Sequence, residues 1–304
     1  MTKPGVVAVA VPVRNGDPTL VDAIASVLSQ ADVDVAVLVS DNHSTDGTSA
    51  MVDALAASDP RVSVRRPAEP LTAPDNFRFA FECARDLGHA FFCWLAADDA
   101  MNACYLPAAV ELLQRSDAHF VVSDAEFVTA DTMQHLSTWR PSGHLSSSDV
   151  FRRLLGYATQ PRWNEIYSLY DRTTFDVLAE VRDEYGFDAL LTWKLLLRGP
   201  AARLHMVGTR YAVRSDGPTE RAARIRYKLQ RARDGKPPRW FSLWLRLWRA
   251  TADSPTPTVR RQARAALMLA AVHPNWLKKF AEETFRRFVR RAAALVPGPM
   301  SRGV

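Results

Sequence analysis

No run of 18 consecutive apolar residues occurs in this 304-residue chain, so no membrane-spanning helix is expected. Cysteine is scarce: Cys83, Cys93 and Cys104 form no CxxC pair and are odd in number. That argues against a disulfide framework or a thiolate zinc site, and for small buried hydrophobes in a reducing compartment. No GxGxxG follows the first apolar run and no GxxxxGK[ST] occurs anywhere, which excludes the dinucleotide fingerprint and the phosphate loop. Asp98 and Asp99 are adjacent, whereas aspartyl-phosphate hydrolases need a second aspartate two residues after the first. The N-terminal stretch lacks the small-residue cleavage pattern of a secretory leader, so the expected location is cytoplasmic.

The composition that remains is that of an ordinary globular protein, 47% hydrophobic and 24% charged. Charge is unevenly placed. Between Arg221 and Val304 stand 20 lysines and arginines against 4 acidic residues, whereas the preceding 220 residues carry 19 against 29. An acidic body joined to a basic tail is expected, with boundaries at 1–220 and 221–304.

Valine-rich runs at 6–13 and 33–40, "RVSVRR" at 61–66, "AFFCWLA" at 90–96 and "AHFVVSDAEFV" at 118–128 read as strands. Helical spacing separates them: 17–30 with Asp17 as cap and Pro18 as first helical residue, 51–57, 73–88, and 105–116. Strands alternating with helices at this spacing predict an α/β fold with a mostly parallel sheet flanked by helices. Residues 131–148 are polar and aperiodic and read as a loop. "SSDVFRRLLGY" restarts a helix capped by Ser148 or Asp149, "WNEIYSLYD" has strand character, and "FDALLTWKLLLRG" is a helix stopped at Gly199. From Arg221 onward the chain reads as helical, with breaks near 235–238 and 254–257.

Open parallel sheets bind ligands outside the carboxyl ends of their strands. Three polar clusters lie at such ends: Pro12-Val13-Arg14-Asn15, Ser40 to Asp46, and Asp98-Asp99. Two carboxylates after a strand suit a hard divalent cation, Mn²⁺ or Mg²⁺, and a solvated turn is the plain alternative. Asp41 and Asp46 would equally serve as turn and helix caps.

Taken in order, "VAVPVRNGDPTLVDAIASVLSQ", "VAVLVSDNHSTDGT" and "FFCWLAADD" resemble the motifs of the family-2 inverting glycosyltransferases. The resemblance covers residues 6 to 125 well and 150 to 216 loosely. It implies the GT-A fold, with a nucleotide-sugar-binding half at 1–125 and an acceptor-binding half at 126–220. It also implies a nucleobase pocket lined by Pro12, Val13, Arg14 and Asn15, and an Asp41 that meets base and ribose. Asn76 falls near the sugar nucleotide, Asp98 at the ribose, and Asp99 with Asp98 at the metal. Where the family commonly reads Asp-x-Asp-Asp, this chain has Ala96 first, which leaves Asp99 as the principal ligand. Asp188, at the start of the 187–199 helix, takes the place of the family's catalytic base, with Glu184 and Asp183 nearby; the competing reading is a plain N-cap. Trp163, Asn164, Glu165 and Arg214 fall where donor or acceptor sugar would be met. Arg214-Ser215-Asp216 stands where the family often has Arg-x-His.

The implied function is metal-dependent, inverting transfer of a hexose from a nucleoside-diphosphate sugar to an acceptor hydroxyl. UDP is favoured, with dTDP and GDP open. A catalytically silent glycan- or nucleotide-binding protein on the same fold is the rival, and a nucleotidyltransferase a lesser one. Tail helices such as "RWFSLWLRLWRA" place Arg239, Ser242, Arg246 and Arg249 opposite Trp240, Leu243, Trp244, Leu247 and Trp248, and "LKKFAEETFRRFVRRAAALV" repeats the theme. Two readings compete: the tryptophans pack on the body, or the helices lie at the cytoplasmic face of a membrane and serve a lipid-linked or glycolipid acceptor. Nucleic acid is not expected as a partner, because no nucleic-acid fold accompanies the charge.

Overall fold

A computed structural model describes residues 6–16, 18–159, 164–180, 182, 186–213 and 239–278. The strands are β1 Val7–Val13, β2 Val35–Asp41, β3 Val62–Arg65, β4 Phe91–Trp94, β5 Ala100–Met101, β6 Phe120–Thr129, β7 His135–Trp139, β8 Leu169–Asp171 and β9 Ala202–Val213. The helices are α1 Leu20–Leu28, α2 Thr48–Ser58, α3 Ala73–Arg85, α4 Tyr105–Gln114, α5 Val150–Thr159, α6 Phe175–Leu178, α7 Phe187–Arg198, α8 Arg239–Ala250 and α9 Pro257–Ala271.

All nine strands join one sheet in the order β3-β2-β1-β4-β8-β6-β9-β5, with β7 added on β6. The β3-β2-β1-β4 part is parallel, as is the β6–β9 pair, while β8, β5 and β7 run antiparallel to their neighbours. Every residue of β1 is buried because both faces of the sheet are covered, hence a continuous apolar run. Side chains alternate between two cores. Val7, Val9, Val11, Cys93 and Leu95 pack with α1 and α4, whereas Ala8, Ala10, Phe92 and Trp94 pack on the other side with α3, α5 and α7. Leu243 and Leu247 of α8, and Ala263, Ala266, Leu267 and Ala270 of α9, belong to that second core.

Four expectations are corrected. α1 begins at Leu20 rather than Pro18, with Thr19 before it donating its hydroxyl to Ala97 O (3.0 Å) instead of capping; Asp17 lies outside the described residues. The stretch 131–148 holds strand β7 and a 3₁₀ turn at Gly143–Ser146, because β6 runs long enough to take a hairpin partner. "WNEIYSLYD" forms a 3₁₀ turn at Asn164–Tyr167 and only then the short β8. Ser242, placed by periodicity with the arginines, is buried, since α8 meets other elements over a wide arc. Asp149 does cap α5, its Oδ1 accepting from Arg152 N at 2.7 Å. The break expected near 254–257 precedes α9, whereas the one expected near 235–238 lies outside the described residues. The side chains of Arg239 and Trp240, and the segments 214–238 and 279–304, lie outside the description.

Candidate active site

The carboxyl ends of β1, β2 and β4 meet on one edge. Val13 pairs in register with Asp41, and Asn42 N donates to Val13 O (2.9 Å). Asn15, left-handed at φ 58°, donates its backbone N–H to Ser44 Oγ (2.9 Å) and accepts from Thr45 N (2.8 Å). Gly16 N donates to Thr48 Oγ1 at 2.9 Å. The Thr19–Ala97 bond ties in the turn that carries Asp98 and Asp99. The three polar clusters therefore share one rim, with Pro12 and Val13 buried beneath it and Arg14 exposed on it.

Asp41 is fully buried. Its Oδ1 accepts from Ser44 N (3.1 Å), and its Oδ2 from Ser49 Oγ (2.6 Å) and Arg66 Nε (3.1 Å). Burial pushes its pKa up, but the bonds from Ser49, Ser44 and Arg66 outweigh it and hold the carboxyl below its ordinary value. Asp41 thus anchors the turn after β2, and Arg66 is a partner the sequence reading missed. Asn76 is also buried: its Oδ1 accepts from Ser40 Oγ (2.6 Å) and its Nδ2 donates to Ser40 O (3.3 Å), fastening α3 to the end of β2. Asp46 Oδ1 accepts from Thr48 N (3.0 Å) at the start of α2.

Asp99 is 8% exposed and accepts from Ala212 N of β9 at 3.0 Å. Burial, then the charge of Asp98, push its carboxyl up to about 8, with the Ala212 N–H opposing. A buried carboxylate beside another carboxylate is an all-oxygen donor pair poised to gain from a hard cation. Among the described residues, no group of three or more His, Cys, Asp or Glu side chains gathers as a metal centre. A cation held here would take its other oxygens from a bound diphosphate and water.

Asp188 stands in the first turn of α7, its Oδ1 accepting from Ala189 N (2.8 Å). Burial pushes it up to about 7, against the pull of that N–H. The helix starts there because Gly186 adopts φ +77° just before it. Tyr167 sits in the field of Asp99, Asp98 and Asp188; burial, then those charges, raise its hydroxyl well above the ordinary value. Its ring meets Tyr211 of β9 at 5.4 Å and Phe77 at 6.5 Å, and Phe77 meets Phe187 at 6.1 Å. Thus the rim and α7 flank a shared aromatic floor. Asn164 and the buried Glu165 line a small pocket beside it with Ser123, Asp124, Ser168 and Tyr211.

Besides Arg66, Tyr167 and Tyr211 are residues that the sequence did not single out. The only signal was an aromatic between acids in "WNEIYSLYD", and reading that stretch as strand concealed it. Trp163, Arg214, Glu184 and Asp183 lie outside the described residues.

No curated protein matches the chain. Among solved structures, Staphylococcus aureus TarS 1–349 in complex with UDP-GlcNAc is similar at a TM-score of 0.65 and 14% identity, over 95% of this chain and 83% of that one. The same protein in complex with UDP gives a TM-score of 0.61 at 14% identity, over 86% and 69%. The mannosyltransferase PcManGT from Pyrobaculum calidifontis, in complex with GDP-Man and Mn²⁺, gives 0.51 at 21% identity, over 97% and 81%. These likenesses establish the GT-A fold. The family model of glycosyl transferase family 2 matches residues 8–172, more than half the chain, and the protein belongs to that family.

Proposed function

We propose that this glycosyltransferase moves a hexose from a nucleoside-diphosphate sugar, UDP favoured, to an acceptor hydroxyl of a glycan, with inversion at the anomeric carbon. The observation that carries the reading is placement: a carboxylate pair at the end of β4 and a lone carboxylate at the start of α7 flank one aromatic floor. Inversion needs that separation, with leaving-group support on one side and a base on the other.

The nucleoside half would be met by Pro12 to Asn15 and Asp98, with Asp41 and Asn76 holding the rim in shape. Asp99, with Asp98, would hold Mn²⁺ or Mg²⁺, whose charge offsets that of the departing diphosphate. Asp188, as carboxylate, takes the acceptor proton. The freed oxygen pair then bonds to the anomeric carbon as the carbon–diphosphate bond breaks. Asn164 and Glu165 stand where sugar hydroxyls would be fixed. In this division of labour 1–125 binds the donor and 126–220 the acceptor. The UDP and UDP-GlcNAc complexes of TarS support the donor class, and the Mn²⁺ complex of PcManGT supports the metal.

Thermal-shift screening of UDP-, GDP- and dTDP-sugars with and without Mn²⁺ tests the donor site, and anomeric configuration of the product tests inversion. A melting rise with a UDP-sugar that grows with Mn²⁺ is expected. Indifference to every nucleoside diphosphate would overturn the reading.

A further inference from the structure

From Leu243 to Trp248 the apolar side of α8 is spent on packing. Leu243 and Leu247 are completely buried, Trp244 Nε1 donates to Leu267 O (3.3 Å), and Trp248 stacks on Trp244 at 5.3 Å. Arg264 lies over the Trp248 ring, 5.2 Å from its centroid, sealing that side. A membrane contact through Trp244 or Trp248 would require this packing to open.

The outer side of α9 is different. Its inner positions Ala263, Ala266, Leu267 and Ala270 are buried, but Met268 is 57% exposed, Leu269 52%, Val272 just after it 65%, and Leu277 50%. Met268 and Val272 are four residues apart, one helical turn, with exposed Ala265 and Arg261 on the preceding turns of the same stripe. Four large apolar side chains exposed within ten residues are more than scattered surface hydrophobes. Along this stretch of the chain the charge has one sign. Between Asp253 and Glu282 the chain has no acidic residue, while Arg261 and Lys278 stand exposed before and after the apolar residues.

We propose that the outer face of α9, formed by Met268, Leu269 and Val272 with Arg261 on the same stripe and followed along the chain by exposed Leu277 and Lys278, docks on the surface of an anionic phospholipid bilayer. Apolar side chains enter the boundary between headgroups and acyl chains, and basic ones meet lipid phosphates; a bilayer offers both at once. A second copy of the chain fits less well. Two-fold pairing of the patch would press the same basic residues against themselves. The inference is independent of the sugar-transfer reading.

The test is co-sedimentation of the full chain with phosphatidylcholine vesicles, with and without about one third phosphatidylglycerol. Wild type is expected to bind the anionic vesicles, more weakly at high salt. The M268E/L269E/V272E variant should lose binding by about tenfold or more with its melting midpoint and donor binding unchanged. R261E/K278E, which leaves the apolar residues in place, should bind less at low salt only. Undiminished binding by the triple variant overturns the proposal, as does failure of wild type to bind anionic vesicles. A dimer in solution that the triple variant dissociates, with no vesicle binding, would assign the face to self-association instead.

Discussion

Leu243 of α8 presses on Gly186, two residues before Asp188: a Cβ added to Gly186 would stand 2.8 Å from Leu243 Cδ1. Gly186 also holds φ +77°, which other residues adopt only under strain. A helix from the basic tail thus fixes the start of the helix that presents the candidate base. Gly186→Ala should destabilise the protein by about 1–3 kcal/mol and lower kcat more than it weakens donor binding. Thermal melts with steady-state kinetics check this; a variant with wild-type kcat would show that the start of α7 need not be held so closely.

Asp188→Asn removes the proposed base while keeping its shape. A loss of kcat on the order of 10²–10⁴ is expected, with donor affinity retained in titration calorimetry. Because burial lifts the Asp188 carboxyl to about 7, wild-type kcat should climb as pH rises through that value, as the active carboxylate forms. Stability runs the other way. A carboxyl whose folded pKa is raised favours the fold while protonated, and that contribution is lost as pH passes about 7. The Asn variant should therefore melt above wild type at pH 8, with the gap closing toward pH 5.

Asp98 and Asp99 should separate in their effects. Asp99→Asn is expected to weaken Mn²⁺-dependent donor binding by at least about tenfold, read as loss of the metal-induced thermal shift. Asp98→Asn should affect nucleoside affinity more than metal dependence. Equal metal responses in both variants would contradict Asp99 as the principal ligand.

Arg66→Ala strips a buried carboxylate of its cation. A loss of about 1–3 kcal/mol at neutral pH is expected. Ser49, Ser44 and, with a smaller share, Arg66 hold the Asp41 carboxyl below the ordinary 3.8, so the Arg66 share of that stabilisation is present at neutral pH and fades as acid titrates Asp41. Chemical denaturation of both proteins at pH 7 and pH 3 should show the difference shrinking. A constant difference would mean that Arg66 acts through packing alone.

What the sequence revealed follows locality. Valine runs buried on both faces announce parallel strands without further help, and their polar ends announce the rim at Pro12–Asn15, Ser40–Asp46 and Asp98-Asp99. The start of α7 at Asp188 was legible because a helix start is a local pattern, whereas a role as base is only what the family resemblance implies. Tyr167 and Tyr211 were not, since they meet only through the 3₁₀ turn before β8 and the far end of β9. Nor was Arg66, just after β3, whose partner Asp41 sits 25 residues earlier at the end of β2. Ser242 misled for a related reason: a helical wheel shows one polar stripe but not that other elements press on it.

The hydrogen bond that seats Asp99 comes from Ala212, 113 residues further along the chain, and β9 reaches that position by pairing parallel with β6 and antiparallel with β5. During synthesis the strands β1, β2 and β4 are therefore complete long before the carboxylate pair acquires its final surroundings. Pairings between such distant segments form late, after the loops between them have closed. In refolding, helical signal should return ahead of metal-dependent donor binding, so the enzyme would pass through a folded-looking state that does not yet hold its substrate.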